Sequence, residues 1–198
     1  MRKIVPAVLF IAAVASAFAA PKTFVFGKGS DAQQLATVES QAPFETFTGR
    51  SSKLTGSVQF DPDKRTGSGS FEINVASIDT GIAMRNEHMT DVGWLDAAKH
   101  PTIKFVSTNV RHKSGDIYAV TGDFTLKGVT KRITIDVRVR YMPASDQTRA
   151  ARFRGDVLHV QSTFKVKLAD HNIKHASINQ GKVGETVTIT ISAFGQTG

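Results

Sequence analysis

The chain has 198 residues, a formal charge of +8 and no cysteine. That suits one domain and excludes a disulfide framework, a thiolate metal site and a lipid-modified cysteine anchor. The basic residues are scattered, as solubility charge is, although a positive balance also favours an anionic neighbour such as a membrane surface.

In chain order, Met1-Arg2-Lys3 is a short basic start, residues 4–15 are an uncharged apolar run, and Ala17-Phe18-Ala19 supplies a small-x-small cleavage pattern. This order predicts a secretory signal peptide over 1–19, cleaved after Ala19, and an exported, periplasmic domain over 20–198. The apolar run is shorter than the roughly 20 residues that span a bilayer. Short strands are predicted at 23–26 and 36–40. Leu54, Gly56, Val58 and Phe60 then alternate with polar residues, as do Phe71, Ile73 and Val75. The pattern breaks at 82–91 and 92–99, which read as two short helical pieces ended by His100-Pro101. A strand follows at 102–110. Alternation resumes at Tyr118, Val120, Gly122, Phe124 and Leu126, then at Ile133, Ile135, Val137, Val139 and Tyr141. Leu158, Val160, Phe164, Val166 and Leu168 form another run, and Val187, Ile189 and Ile191 close the series. Side chains of a strand point to opposite faces in turn, so each run has one apolar and one wet face. Turn signals stand at Asp61-Pro62-Asp63, Gly67-Ser68-Gly69, Lys113-Ser114-Gly115-Asp116, Lys127-Gly128 and 181–184, while 170–181 reads as an irregular loop.

Short connections imply antiparallel neighbours. The chain is therefore predicted to be all-β, with about eight or nine strands around one apolar interior. Alternation alone leaves open whether the sheet forms a sandwich or a barrel, and whether the interior is filled or hollow. The inward candidates are Phe24, Val58, Phe60, Phe71, Ile73, Phe105, Phe124, Ile135, Val137, Phe164 and Ile189.

One set of segments carries a resemblance. Ser77-Ile78-Asp79-Thr80-Gly81 is followed by Arg85-Asn86-Glu87-His88-Met89, Trp94-Leu95-Asp96, Lys99-His100-Pro101, Ile103-Lys104-Phe105 and Ser107-Thr108. Residues 122–131, from Gly122-Asp123-Phe124 to Val129-Thr130-Lys131, complete it. In this order and spacing the chain resembles the YceI-like family of periplasmic, lipocalin-like proteins, with weaker similarity over about 24–193. The resemblance implies an extended antiparallel barrel of about eight strands, with the short helical insert near 82–99, enclosing a long apolar pocket. It further implies a polyisoprenoid ligand, such as an isoprenoid quinone or polyprenyl phosphate, with no other cofactor. Two segments depart from the family pattern: 30–52 holds no histidine, and Asp170-His171-Asn172 stands where the family has Asp-Phe-Gly.

A carrier of this kind needs a dry tunnel with few internal polar groups. Arg85 and His88, spaced i, i+3, share one helix face. Arg85 can meet a phosphate or quinone oxygen, or can simply brace the insert. Met84, Met89 and Trp94 are candidates for the pocket mouth or for the insert's own apolar face. His171 and His175 would sit together on a helix, but without a third ligand they make a weak metal site. With no Gly-x-Ser-x-Gly elbow and no cysteine nucleophile, catalysis is not expected. Arg149, Arg152 and Arg154 form a basic cluster better suited to transient contact with anionic lipid than to nucleic acid. A ligand-free barrel acting through its surface is the main rival, and the sequence leaves open a homodimer.

Overall fold

A computed structural model describes residues 20–198; the predicted signal peptide at 1–19 lies outside them. The described chain forms ten strands: β1 (Lys22–Phe26), β2 (Gln34–Gln41), β3 (Thr46–Ser51), β4 (Leu54–Asp61), β5 (Thr66–Asn74), β6 (Thr102–Ser114), β7 (Ile117–Leu126), β8 (Val129–Met142), β9 (Val157–Lys167) and β10 (Thr186–Gln196). Three short helices join them: α1 (Ala83–Thr90), α2 (Asp146–Ala150) and α3 (Ala176–Asn179).

The neighbours run β1-β4-β5-β6-β7-β8-β9-β10, and β10 returns to β1, closing an eight-stranded antiparallel barrel. Closure removes the free edges that an open sheet would offer to other chains. It is narrow, because β1 meets β10 at only Val25↔Gln196 and Phe26↔Gly195. Beyond that point β2 takes over the edge of β10, from Ala193↔Gln34 to Val187↔Ser40, and β3 extends the sheet from β2. The wall also parts at two seams. The β5–β6 register runs only from Ser70↔Val106 to Asn74↔Thr102, and the β8–β9 register only from Val137↔Ser162 to Met142↔Val157.

Local chemistry fixes the corners. At Lys127-Gly128 both residues take positive φ (48° and 71°), the type I′ geometry whose twist suits a tight hairpin. β7 shows the predicted alternation in full, half-buried and buried in turn along its length. Gly67-Ser68-Gly69, predicted as a turn, lies inside β5. Gly67 pairs with Phe60 and Gly69 with Val58, where an added Cβ would come within 2.7 Å of Gln59 O and of Val58 Cγ2 respectively. These glycines let the wall pass close to large neighbours, and the turn itself is at 61–65, capped by Asp61, whose carboxylate accepts from Asp63 N and Lys64 N.

Three further expectations are corrected. β3 was not among the predicted strands. The piece at 92–99 is a run of turns rather than a helix, because Asp96 takes a left-handed φ of 50° and Trp94 N and Asp96 N both return to Asp91 O. The loop predicted at 170–181 contains the tight turn Leu168–His171 and α3. α3 is opened by His175, whose Nδ1 accepts from Ser177 N at 3.2 Å.

On the outer wall His159 stacks on Phe194, ring centroids 3.9 Å apart, with Nε2 3.0 Å from Ser192 Oγ. Burial, aided by Arg140, holds this imidazole below its ordinary pKa. The folded protein therefore keeps the ring neutral while the unfolded chain takes a proton, so stability is expected to fall as pH drops below about 6.5. Urea midpoints at pH 7.5 and 5.5 should show that loss in the wild type and a smaller one in His159→Gln.

Candidate functional site

The barrel is hollow. Two buried clusters pack its ends, one around Phe24, Phe26, Phe60, Tyr118 and Leu158, the other around Phe124, Leu126, Leu168, Ile173 and Val187; Phe105 packs against both. Between them runs a cavity of about 260 Å³, far beyond the ~10–15 Å³ that admits one water. The strand period puts Val58 and Phe60 of β4, Phe71 and Ile73 of β5, Phe105 of β6, Phe124 of β7, Ile135 and Val137 of β8, Phe164 of β9 and Ile189 of β10 on its lining. Small inward residues make the room: Ala36, Gly49, Gly67 and Gly69 also line it. At its two ends Phe26 meets Phe71 edge-on at 4.9 Å, and Phe124 meets Phe164 edge-on at 5.8 Å.

Phe24 differs from the other inward candidates. It is fully buried against the edge of Tyr141, in the core rather than on the cavity. The reason is its place on β1, at the narrow closure, where the opposing walls are too close to leave a gap.

Four serine hydroxyls on the lining have partners. Ser40 Oγ accepts from Gly184 N at 2.9 Å, Ser51 Oγ is hydrogen-bonded to Ser77 Oγ at 2.7 Å, and Ser107 Oγ accepts from Gly69 N at 2.7 Å. Ser162 Oγ donates to Asp136 O at 2.8 Å. A largely apolar lining whose serines are already satisfied offers a ligand chiefly dispersion and the exclusion of water.

The insert closes the gap beside β3. Arg50 of β3 exchanges backbone hydrogen bonds with Asp79 (2.8 and 2.9 Å), adding a strand-like rung there. The Asp79 carboxylate accepts from Gly81 N and Asn86 Nδ2, which hold its pKa below the usual range, and Asn86 Oδ1 accepts from Thr80 N. Asp79 and Asn86 thus fold the insert back onto the barrel, a role that sequence reading did not assign to them. The Asp-Thr-Gly turn before a helix was the available signal.

Of the residues predicted at the mouth, Met89 and Trp94 line the cavity, and Trp94 stacks on His175 at 4.3 Å. Met84 and His88 face away from it and are exposed. Arg85 is ion-paired with Glu45 and lies 4.5 Å above the Phe47 ring, so it clamps α1 to the β2–β3 turn. Ile78 and Leu95 also reach the cavity. His171 and His175 are not brought together on one helix: His171 Nδ1 is 3.0 Å from Val129 O, and among the described residues no group of three metal-binding side chains gathers. Arg149, Arg152 and Arg154 lie on or beside α2, at the opposite end from the insert, and Arg149 is paired with Asp146.

Comparison with known proteins follows this geometry. The family model for a YceI-like domain matches residues 29–194. The chain belongs to the YceI-like family. Protein YceI of Escherichia coli O157:H7 is 35% identical over 123 residues, which are 62% of this chain and 59% of that protein. The chain thus spans about three fifths of the length of the curated relatives it matches. Among solved structures, BcnA of Burkholderia cenocepacia superposes with a TM-score of 0.71 at 26% identity, over 83% of this chain and 98% of BcnA. A polyisoprenoid binding domain from Saccharophagus degradans, implicated in plant cell wall breakdown, shares the fold with a TM-score of 0.64 at 19% identity, over 90% and 99% of the two chains. The YceI-like barrel predicted from the quoted motifs is the observed fold.

Proposed function

We propose that the protein is a periplasmic carrier, not an enzyme, which holds one long apolar molecule in the barrel lumen. The ligand class we assign is an isoprenoid, either an isoprenoid quinone or a polyprenyl phosphate. The observation that carries this reading is the 260 Å³ cavity, lined mainly by aromatic and branched aliphatic side chains, with Ser40 and Ser107 on its wall already hydrogen-bonded. Membership of the YceI-like family supports it, and the name of the Saccharophagus domain points to the same ligand class. Residues 1–19 supply the address.

The energetics favour a shuttle. Each methylene taken from water is worth about 0.8 kcal/mol, so several isoprene units bind firmly against an aqueous gap. Against a bilayer the same gain nearly cancels, because lipid tails are apolar too, and the ligand can be released there.

Native mass spectrometry of the protein purified from its exporting cell, with solvent extraction of the same sample, is the test. A stoichiometric extra mass extracting as an isoprenoid is expected. A bare protein that stays bare after incubation with quinones and polyprenyl phosphates would overturn the carrier reading in favour of a ligand-free barrel.

A further inference from the structure

The seam between β8 and β9 has a chemistry of its own. Below it the two strands pair normally, ending at Val137↔Ser162. Above that point β8 continues to Val129 and β9 to Lys167, yet their facing backbone edges make no hydrogen bond to one another. Two clasps bound the opening: Ser162 Oγ donates to Asp136 O at 2.8 Å, and the His171 ring meets Val129 O at 3.0 Å. At about 3.3 Å per residue, the free stretch of β8 is roughly 20 Å long.

Continued along its register, the unzipped stretch would set Arg132 opposite Lys167 and Thr134 opposite Lys165. Like charges directly opposite disfavour pairing. Arg132 is neutralised by Asp123 at 3.0 Å, and Asp136, the nearest acid on β8, is taken by Lys113 at 2.8 Å. Lys165 and Lys167, on the outward face of β9, are exposed and, among the described residues, have no ion-pair partner; Lys131 pairs with Phe124 and so belongs to the inward face of β8. The inner side of the same opening is apolar, since Ile135 and Phe164 flank it and line the lumen. The β5–β6 seam also borders the lumen, but the cation at its paired end, Lys104, is taken by Glu72.

We propose that the β8–β9 seam is an anionic head-group site. An amphiphile with a phosphate head would place that head against Lys165 and Lys167 and pass its chain between Ile135 and Phe164 into the lumen. This rests on the carrier reading and narrows it, favouring a polyprenyl phosphate over a neutral quinone. It also moves the head-group contact from Arg85, which is occupied by Glu45, to the β8–β9 wall. Charge on the outer lip and hydrocarbon on the inner lip suit one molecule that carries both.

Three probes test it on the purified protein: geranylgeranyl phosphate, geranylgeraniol and inorganic phosphate, at low ionic strength. The wild type should bind the phosphate lipid roughly tenfold more tightly than the alcohol, a preference that salt erodes. The double variant Lys165→Gln/Lys167→Gln should lose most of that preference and keep its affinity for the alcohol, because lysines on the outward face contribute nothing to the lumen. Equal binding of the two lipids by the wild type, or an undiminished preference in the variant, overturns the site. Displacement of the phosphate lipid by equimolar inorganic phosphate would also overturn it, by assigning the seam to a free anion. Wild-type protein that binds neither lipid would instead sink the carrier reading itself.

Discussion

Replacing Phe24 by alanine is expected to destabilise the barrel by about 3–5 kcal/mol, the range for removing a fully buried phenyl ring. Replacing Ile135 in the same way should cost only about 1–2 kcal/mol. Both residues sit on inward strand positions, so the contrast tests the geometry and not hydrophobicity in general. Phe24 is 0% exposed and packs in the core at the narrow β1–β10 closure, where its loss leaves a new void. Ile135 borders a cavity that exists already, and its neighbours lose little contact when it shrinks. Chemical denaturation of both variants without ligand measures the difference. Similar costs at the two positions would mean that the lumen collapses around Ile135 in solution.

The extent to which the fold could be read in advance follows from what alternation encodes. β7, β8 and β10 carry apolar residues at nearly every inward position, so their faces were legible. β3 was not, because Phe47 is its one large apolar residue and its other inward positions are Gly49 and Ser51. The same substitution of small for large residues hides the lumen. An alternating strand reads alike whether it packs a solid core or lines a hollow, and only the placement of Gly49, Gly67 and Gly69 against the cavity distinguishes the two. Gly67 and Gly69 in fact suggested a turn. Arg85 was legible as a cation on the insert but not as the partner of Glu45, which lies 40 residues earlier in the chain. The cationic seam was invisible for a related reason: Lys165 and Lys167 read as the wet face of an ordinary strand, and only the parting of β9 from β8 sets them beside an opening into the lumen.

Filling the lumen should abolish binding while leaving the barrel folded. In Val137→Trp/Ile189→Trp two half-buried lining positions on β8 and β10 would carry indoles into the cavity. Overpacking a dense core usually costs about 1–3 kcal/mol, but here the added rings enter existing space, so the melting temperature should stay close to that of the wild type. Displacing as few as four methylenes of a bound chain removes about 3 kcal/mol, or roughly 200-fold in affinity. Titration with geranylgeraniol, whose neutral head makes no demand on the seam lysines, isolates this effect from head-group recognition. A folded double-tryptophan variant that still binds the alcohol as the wild type does would place the chain outside the barrel. The lumen would then be a feature of packing, and the apolar ligand would have to be sought on the outer wall.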